Sequence, residues 1–156
     1  MGKYILAFLI SMVPIIELRV GVPFATSMGI SEPIAIAVCA VGNMIPVPFI
    51  YFFARKFLFW GANQKIIGKF CRFCLVKGEH AGQKLVKSTG RGGLFVALLL
   101  FVGIPLPGTG AWTGTLAASF LDMGFKSTVV SVSLGVLLAG CIMALASTGV
   151  FAFIGL

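Results

Sequence analysis

Residues Gly103 to Gly114 read Gly-Ile-Pro-Leu-Pro-Gly-Thr-Gly-Ala-Trp-Thr-Gly, and no ordinary helix can run through them. Each of the two prolines removes a backbone donor and fixes φ. Yet the flanks, Gly93 to Phe101 and Thr115 to Leu121, are strongly apolar. Chain that runs apolar, breaks and resumes apolar reads as chain that enters a membrane and turns back. Broken backbone at membrane depth is tolerated only where protein or a water-filled cavity covers it. The stretch is therefore expected to line a site, with Pro105, Pro107, Gly108, Thr109, Gly110, Trp112 and Thr113 as its candidate residues.

The same device occurs near the N-terminus. Pro14 to Gly21 has the Pro-x6-Gly spacing of Pro107 to Gly114, 93 residues on. Met28-Gly29 pairs with Met123-Gly124, 95 residues on, which asks for a two-residue insertion between the matches. A longer apolar segment follows each pair. The order of elements therefore reads as an internal repeat: 1–56, then a linker 57–92, then 93–156.

Composition sets the solvent. Of the residues, 59% are hydrophobic and 10% charged, against about 25% charged in soluble domains. This is the composition of an integral membrane protein of one domain. The net charge of +8 has one location. Arg55, Lys56, Lys65, Lys69, Arg72, Lys77, Lys84, Lys87 and Arg91 stand against Glu79, and elsewhere the charges balance. In a membrane protein such a cluster marks a cytoplasmic loop rather than a nucleic-acid surface. Cys71, Cys74 and His80 have metal-ligand spacing but no fourth ligand, so no metal is expected there.

Taken in order, 4–29 reads as a re-entrant hairpin whose limbs meet near Glu17 to Pro23. Ser31 is a plausible helix cap, with Pro33 opening the helix. Pro33 to Ala54 is 22 uncharged residues, long enough to span, with a kink expected from Pro46 and Pro48. Phe57 to Gly93 looks like a basic amphipathic helix on the cytoplasmic leaflet, jointed at Thr89 to Gly93. A second hairpin and a second spanning helix, Ser127 to Leu156, follow. One span between them turns the second hairpin the other way up. The expected architecture is thus all-α: an inverted repeat of two units, each a re-entrant helical hairpin plus a transmembrane helix.

Glu17 and Arg19 are the only charges inside an apolar hairpin. Intramembrane ionisable residues are functional candidates by default. Arg19 suits a phosphate or carboxylate through its forked donors, and Glu17 is a candidate proton carrier. Gly21 and Pro23 complete the first half of the site. On a helix, two residues of spacing would put Glu17 and Arg19 on different faces; in broken chain both could face one cavity. No Ser-His-acid set, paired catalytic carboxylates or phosphate-binding glycine-lysine motif is present, so neither an enzyme nor a cofactor is expected.

The motifs Glu17-Leu-Arg-Val-Gly-Val-Pro23 and Pro105-Leu-Pro-Gly-Thr-Gly-Ala-Trp-Thr-Gly114, with this length, closely resemble the small multidrug export protein family of prokaryotes. That family resembles in turn the DedA (VTT-domain) membrane proteins, which carry two opposed re-entrant hairpins. The resemblance implies a multi-pass inner-membrane transporter or flippase for polyprenyl-phosphate or phospholipid carriers, coupled to protons or ions. It places Glu17 and Arg19 at the acidic and basic positions of the first hairpin; the second hairpin lacks the arginines typical of DedA relatives. The other expectations are a non-transporting scaffold that binds anionic lipid or a partner, and an exporter of small-molecule drugs. Hairpins that do not span leave backbone needing cover, so a homodimer is expected.

The charge asymmetry makes the topology testable. In a cysteine-free background, a cysteine placed at Lys84 will be reached by an impermeant thiol reagent only from the cytoplasmic side. Labelling from outside would reverse the orientation.

Overall fold

The computed structural model describes residues 2–14, 16–64, 68–106 and 108–154. The protein is all-helical, 84% helix, with no strand among the described residues. Seven helices follow in order: α1 (Gly2–Met12), α2 (Glu17–Ser27), α3 (Glu32–Met44), α4 (Pro46–Ala62), α5 (Gly68–Gly103), α6 (Ala111–Phe120) and α7 (Phe125–Ile154). Two stretches are long and apolar enough to cross a membrane: Glu32–Ala62, formed by α3 and α4, and Phe125–Ser147 within α7.

Prolines and glycines set the boundaries. Pro14 falls in the turn between α1 and α2, where its missing donor does least harm. The first tip is therefore the turn around Val13 to Ile16, not Glu17 to Pro23, which lies wholly inside α2. Pro23 is accommodated in that helix. Ile45 separates α3 from α4, and Pro46 opens α4. The helix then runs past Arg55 and Lys56 to Ala62, because charge ends an apolar span without ending a helix. Ser31 occupies the cap position of α3 in extended backbone, but its side chain makes no capping bond. α5 breaks at Gly90, whose φ of 70° and ψ of 175° are open to glycine; this is the joint expected at Thr89 to Gly93.

Corresponding turns close alike. Ile30 N donates to Ala25 O at 3.1 Å around Gly29, and Met123 N to Ala118 O at 3.0 Å around Asp122. Both are left-handed residues closing a helix C-terminus by a six-residue bond. Ala35 N to Ser31 O and Thr128 N to Gly124 O then open the long helices. These pairs stand 93 residues apart throughout, as Gly29 and Asp122 do, whereas Met28-Gly29 and Met123-Gly124 stand 95 apart.

Each short helix pair lies against a long helix. α1 packs on α2 and α3, and α5 on α6 and α7; α2 also reaches α7, as α6 reaches α4. Small residues permit the close crossings. A Cβ on Gly42 would run into the Ser11 hydroxyl and the Phe8 carbonyl. One on Gly135 would lie 2.7 Å from Val102 Cβ and 2.8 Å from the Leu99 carbonyl. Leu18, Val22, Cys39, Val47, Val102, Val132 and Val136 fill the core between them. Buried hydroxyls donate to carbonyls: Ser131 to Phe95 O at 2.7 Å, Thr115 to Ala111 O at 2.6 Å, Ser119 to Tyr51 O at 3.1 Å. Apolar side chains such as Phe49, Phe53 and Leu145 point outward.

The crossings predict a stability effect. Gly42→Ala and Gly135→Ala will each cost on the order of 1–3 kcal/mol through overpacking, read as a lower thermal midpoint in detergent. Gly92→Ala, where an added Cβ meets nothing within 4 Å, will leave the midpoint unchanged. Unchanged midpoints in all three would mean that the helices do not cross so closely.

Candidate functional site

The two broken turns meet. The second tip, from Ile104 to Gly110, is built by local bonds. Leu106 N donates to Ile104 O at 2.8 Å, Thr109 N donates to Leu106 O at 3.2 Å, and the Thr109 hydroxyl sits 2.9 Å from both carbonyls. Gly108 has φ 82° and Gly110 φ 143°, backbone that glycine adopts without strain. Pro107, the remaining candidate of this tip, lies outside the described residues, as do the side chains of Cys74 and His80.

Glu17 enters this tip from the opposite hairpin. It is the first residue of α2, 5% exposed, with φ 48°. Left-handed backbone costs a non-glycine residue roughly 1–2 kcal/mol, here offset by two bonds to its carboxylate. Trp112 N donates to Oε1 at 3.0 Å and Ala111 N to Oε2 at 3.2 Å. These are the unpaired first donors of α6, and a carboxylate there complements the positive end of the helix. Gly110 makes the approach possible, since a Cβ on it would collide with the carboxylate.

Arg19 takes the other side of the tip. Its Nη1 donates to Leu106 O, and its Nη2 to Thr109 Oγ1 at 2.5 Å and to Ile104 O at 3.5 Å. These carbonyls continue the C-terminal end of α5, where positive charge is favoured. Glu17 and Arg19 are both helical, contrary to the expectation of extended chain. They reach one place because Glu17 starts the helix from a left-handed residue and Arg19 has a long side chain. Each engages the second hairpin rather than neutralising the other.

Beside them is a cavity of about 640 Å³. Its polar edge is Glu17, Arg19, Gly108, Thr109, Trp112 and Thr113; Pro14, Val20, Pro105, Leu106, Leu116 and Met143 form the apolar wall. The volume is that of a site for a drug-sized molecule. Charge is presented unequally. The carboxylate is buried and both its oxygens are bonded, whereas Arg19, whose guanidinium is bonded too, is only partly buried. The indole N–H of Trp112 is buried without a hydrogen-bond partner.

The structure thus brings together Glu17, Arg19, Pro105, Gly108, Thr109, Trp112 and Thr113. Gly110 adjoins the carboxylate from behind. Gly21 and Pro23 lie further along α2, with Gly21 facing Cys39 and Ser11. Sequence reading missed Pro14, Val20, Leu106, Leu116 and Met143. Leu116 carried a signal, being one helical turn from Trp112; Met143, on α7, carried none.

A family model described as "Putative small multi-drug export protein" matches residues 17–142. No curated protein and no solved structure matches the chain.

The bracing is testable through stability. Glu17→Ala removes two charge-assisted bonds from α6 and will destabilise the protein by about 1–3 kcal/mol. Gly110→Ala, which keeps the carboxylate but pushes it away from α6, will lower the thermal midpoint similarly. If Glu17→Ala melts like the wild type, the carboxylate does not hold α6.

Proposed function

This chain belongs to the small multi-drug export protein family, and from that premise we propose that it is a membrane transporter whose site, between two opposed hairpin tips, takes an amphipathic anion. The observation that carries the reading is the unequal presentation of charge. Arg19, only partly buried, brings its guanidinium to the edge of an otherwise largely apolar cavity, held there by carbonyls and a hydroxyl that a ligand can displace, while the Glu17 carboxylate is buried and engaged by Ala111 N and Trp112 N. An anion meets a planar donor fork there; a cation meets no free carboxylate. Export of cationic drugs is disfavoured for the same reason, and a passive scaffold leaves the cavity without a role.

The architecture proposed for transport is an inverted repeat. Its support is the common register of the two halves: matching turns at Gly29 and Asp122, matching long-helix openings at Ser31 and Gly124, and matching crossings at Gly42 and Gly135. Only the first limbs differ. Phe8 and Ser11 meet Gly42 as Leu99 and Val102 meet Gly135, so these answer at 91 residues instead of 93. The second tip therefore holds the two extra residues, and it is this longer tip that Arg19 grips. With the basic segment cytoplasmic, the two hairpins enter from opposite sides and meet within the bilayer, as in secondary transporters.

In this mechanism the anionic head displaces the Ile104 and Leu106 carbonyls from Arg19. The tip is then released on one side only, because Glu17 continues to hold α6. Apolar parts of the ligand lie against Val20, Leu106, Leu116 and Met143. A lipid-linked phosphate or another long-chain anion has the required form. Movement of the loosened tip would pass the ligand across, driven by its own gradient or by an ion's.

Trp112 provides the test. In a Trp60→Phe protein it is the sole tryptophan. A long-chain alkyl phosphate will change its fluorescence saturably, and an alkyl trimethylammonium of equal length will not. Arg19→Ala will weaken the phosphate by at least about tenfold, or ~1.4 kcal/mol. Arg19→Lys, with charge but no fork, will fall between. Equal phosphate binding by Arg19→Ala would reduce Arg19 to a structural brace.

A further inference from the structure

We propose that the break between α3 and α4 holds a monovalent cation of sodium size, bound through the side-chain oxygen of Asn43. Asn43 is 2% exposed and lies in the uncharged, apolar stretch from Pro33 to Ala54. Its Oδ1 is buried and has no hydrogen-bond partner. Buried acceptors are nearly always paired, since leaving one unpaired forfeits its hydration without return.

The prolines that follow free further acceptors. Pro46 and Pro48 have no N–H and stand four residues after Gly42 and Met44, so those two carbonyls lose their ordinary helical donors. Against Gly42 lies the hydroxyl of Ser11, itself 0% exposed. That hydroxyl donates to Phe8 O at 2.8 Å, which leaves its lone pairs as acceptors. The backbone at Ile45 keeps helical dihedrals, φ −60° and ψ −44°, so what the prolines interrupt is hydrogen bonding; carbonyls without donors inside a membrane are what coordinate sodium in secondary transporters. The segment from Val41 to Pro48 contains no carboxylate, which suits a monovalent ion better than a divalent one, whose sites are built largely on carboxylates.

The second half of the protein serves as an internal control. At the shared register of 93 residues, Val136 stands in place of Asn43 and is equally buried, 1% exposed. Ala139 and Cys141 stand in place of the prolines, and α7 runs unbroken from Phe125 to Ile154. The packing therefore requires neither an amide nor a break at this position. Both occur together in the first half alone, which is what a site requires and a structural element does not.

The inference rests on the two-unit reading above and adds a coupling ion to it, but its test needs no transport and no anionic ligand. The full-length protein is melted in detergent while sodium chloride replaces choline chloride at constant ionic strength. The wild type will show a saturable, sodium-dependent rise in midpoint, as expected of a ligand that binds only the folded state. Asn43→Leu will melt no lower than the wild type without sodium and will show no rise. Asn43→Asp, which adds charge to the ligand set, will reach half-effect at a sodium concentration about tenfold lower. No difference between sodium and choline in the wild type overturns the site, as does a rise retained in Asn43→Leu. If Asn43→Leu does not fold, an unshifted half-effect in Asn43→Asp overturns it instead. None of these results bears on whether Arg19 binds an anion.

Discussion

The second hairpin depends on charge supplied by the first. An interrupted helix leaves bare carbonyls on one side of the gap and bare N–H groups on the other, and each needs a partner. Here a single turn of α2 answers both. The Glu17 carboxylate accepts from Ala111 N and Trp112 N at the start of α6, and the Arg19 guanidinium donates to the Ile104 and Leu106 carbonyls beyond α5. Each charge lies at the helix end whose dipole it opposes. Removing either would leave a broken helix end uncovered and a charge unopposed.

This arrangement joins stability to function at one point. The carboxylate is enclosed and doubly bonded, while the guanidinium borders the cavity. A ligand can therefore compete for one brace without touching the other. The unpartnered indole N–H of Trp112, next to the capped end of α6, marks where satisfaction of polar groups is incomplete. Elsewhere it is thorough: the hydroxyls of Thr115, Ser119, Thr128 and Ser131 all find carbonyls. Among the described residues, the buried side-chain atoms left unpaired are the Trp112 indole nitrogen and Asn43 Oδ1.

Much of the fold was legible because prolines and charges leave strong marks. Pro105, Gly108 and Gly110 announced a broken hairpin, and Pro46 announced the interruption at Ile45. Glu17 and Arg19 stood out as charges in apolar chain. The position of the first tip was not legible. Gly21 and Pro23 look like breakers, yet α2 runs through both, since Gly21 is fixed by packing on Cys39 and Ser11. The Met28-Gly29 and Met123-Gly124 match, 95 residues apart, differs from the 93-residue spacing of the turns. Identical letters matched there, while the turn geometry needed only a left-handed residue, a role filled by Gly29 in one half and Asp122 in the other.

The sequence by itself determined the solvent, the helical class, the two broken segments and the residues that carry charge within them. Those follow from composition and from backbone chemistry local to each residue, which no distant contact can alter. Tertiary structure alone decided what the charges do. Glu17 and Arg19 lie two residues apart, but their partners lie more than 80 residues away. Whether a buried carboxylate faces a guanidinium, a ligand or the end of a helix depends on what the fold places within about 3 Å of it, the reach of a hydrogen bond. The apolar wall of the cavity has the same origin. Val20, Leu116 and Met143 are ordinary apolar residues in sequence, and they become the wall of a cavity only where α2, α6 and α7 leave space between them.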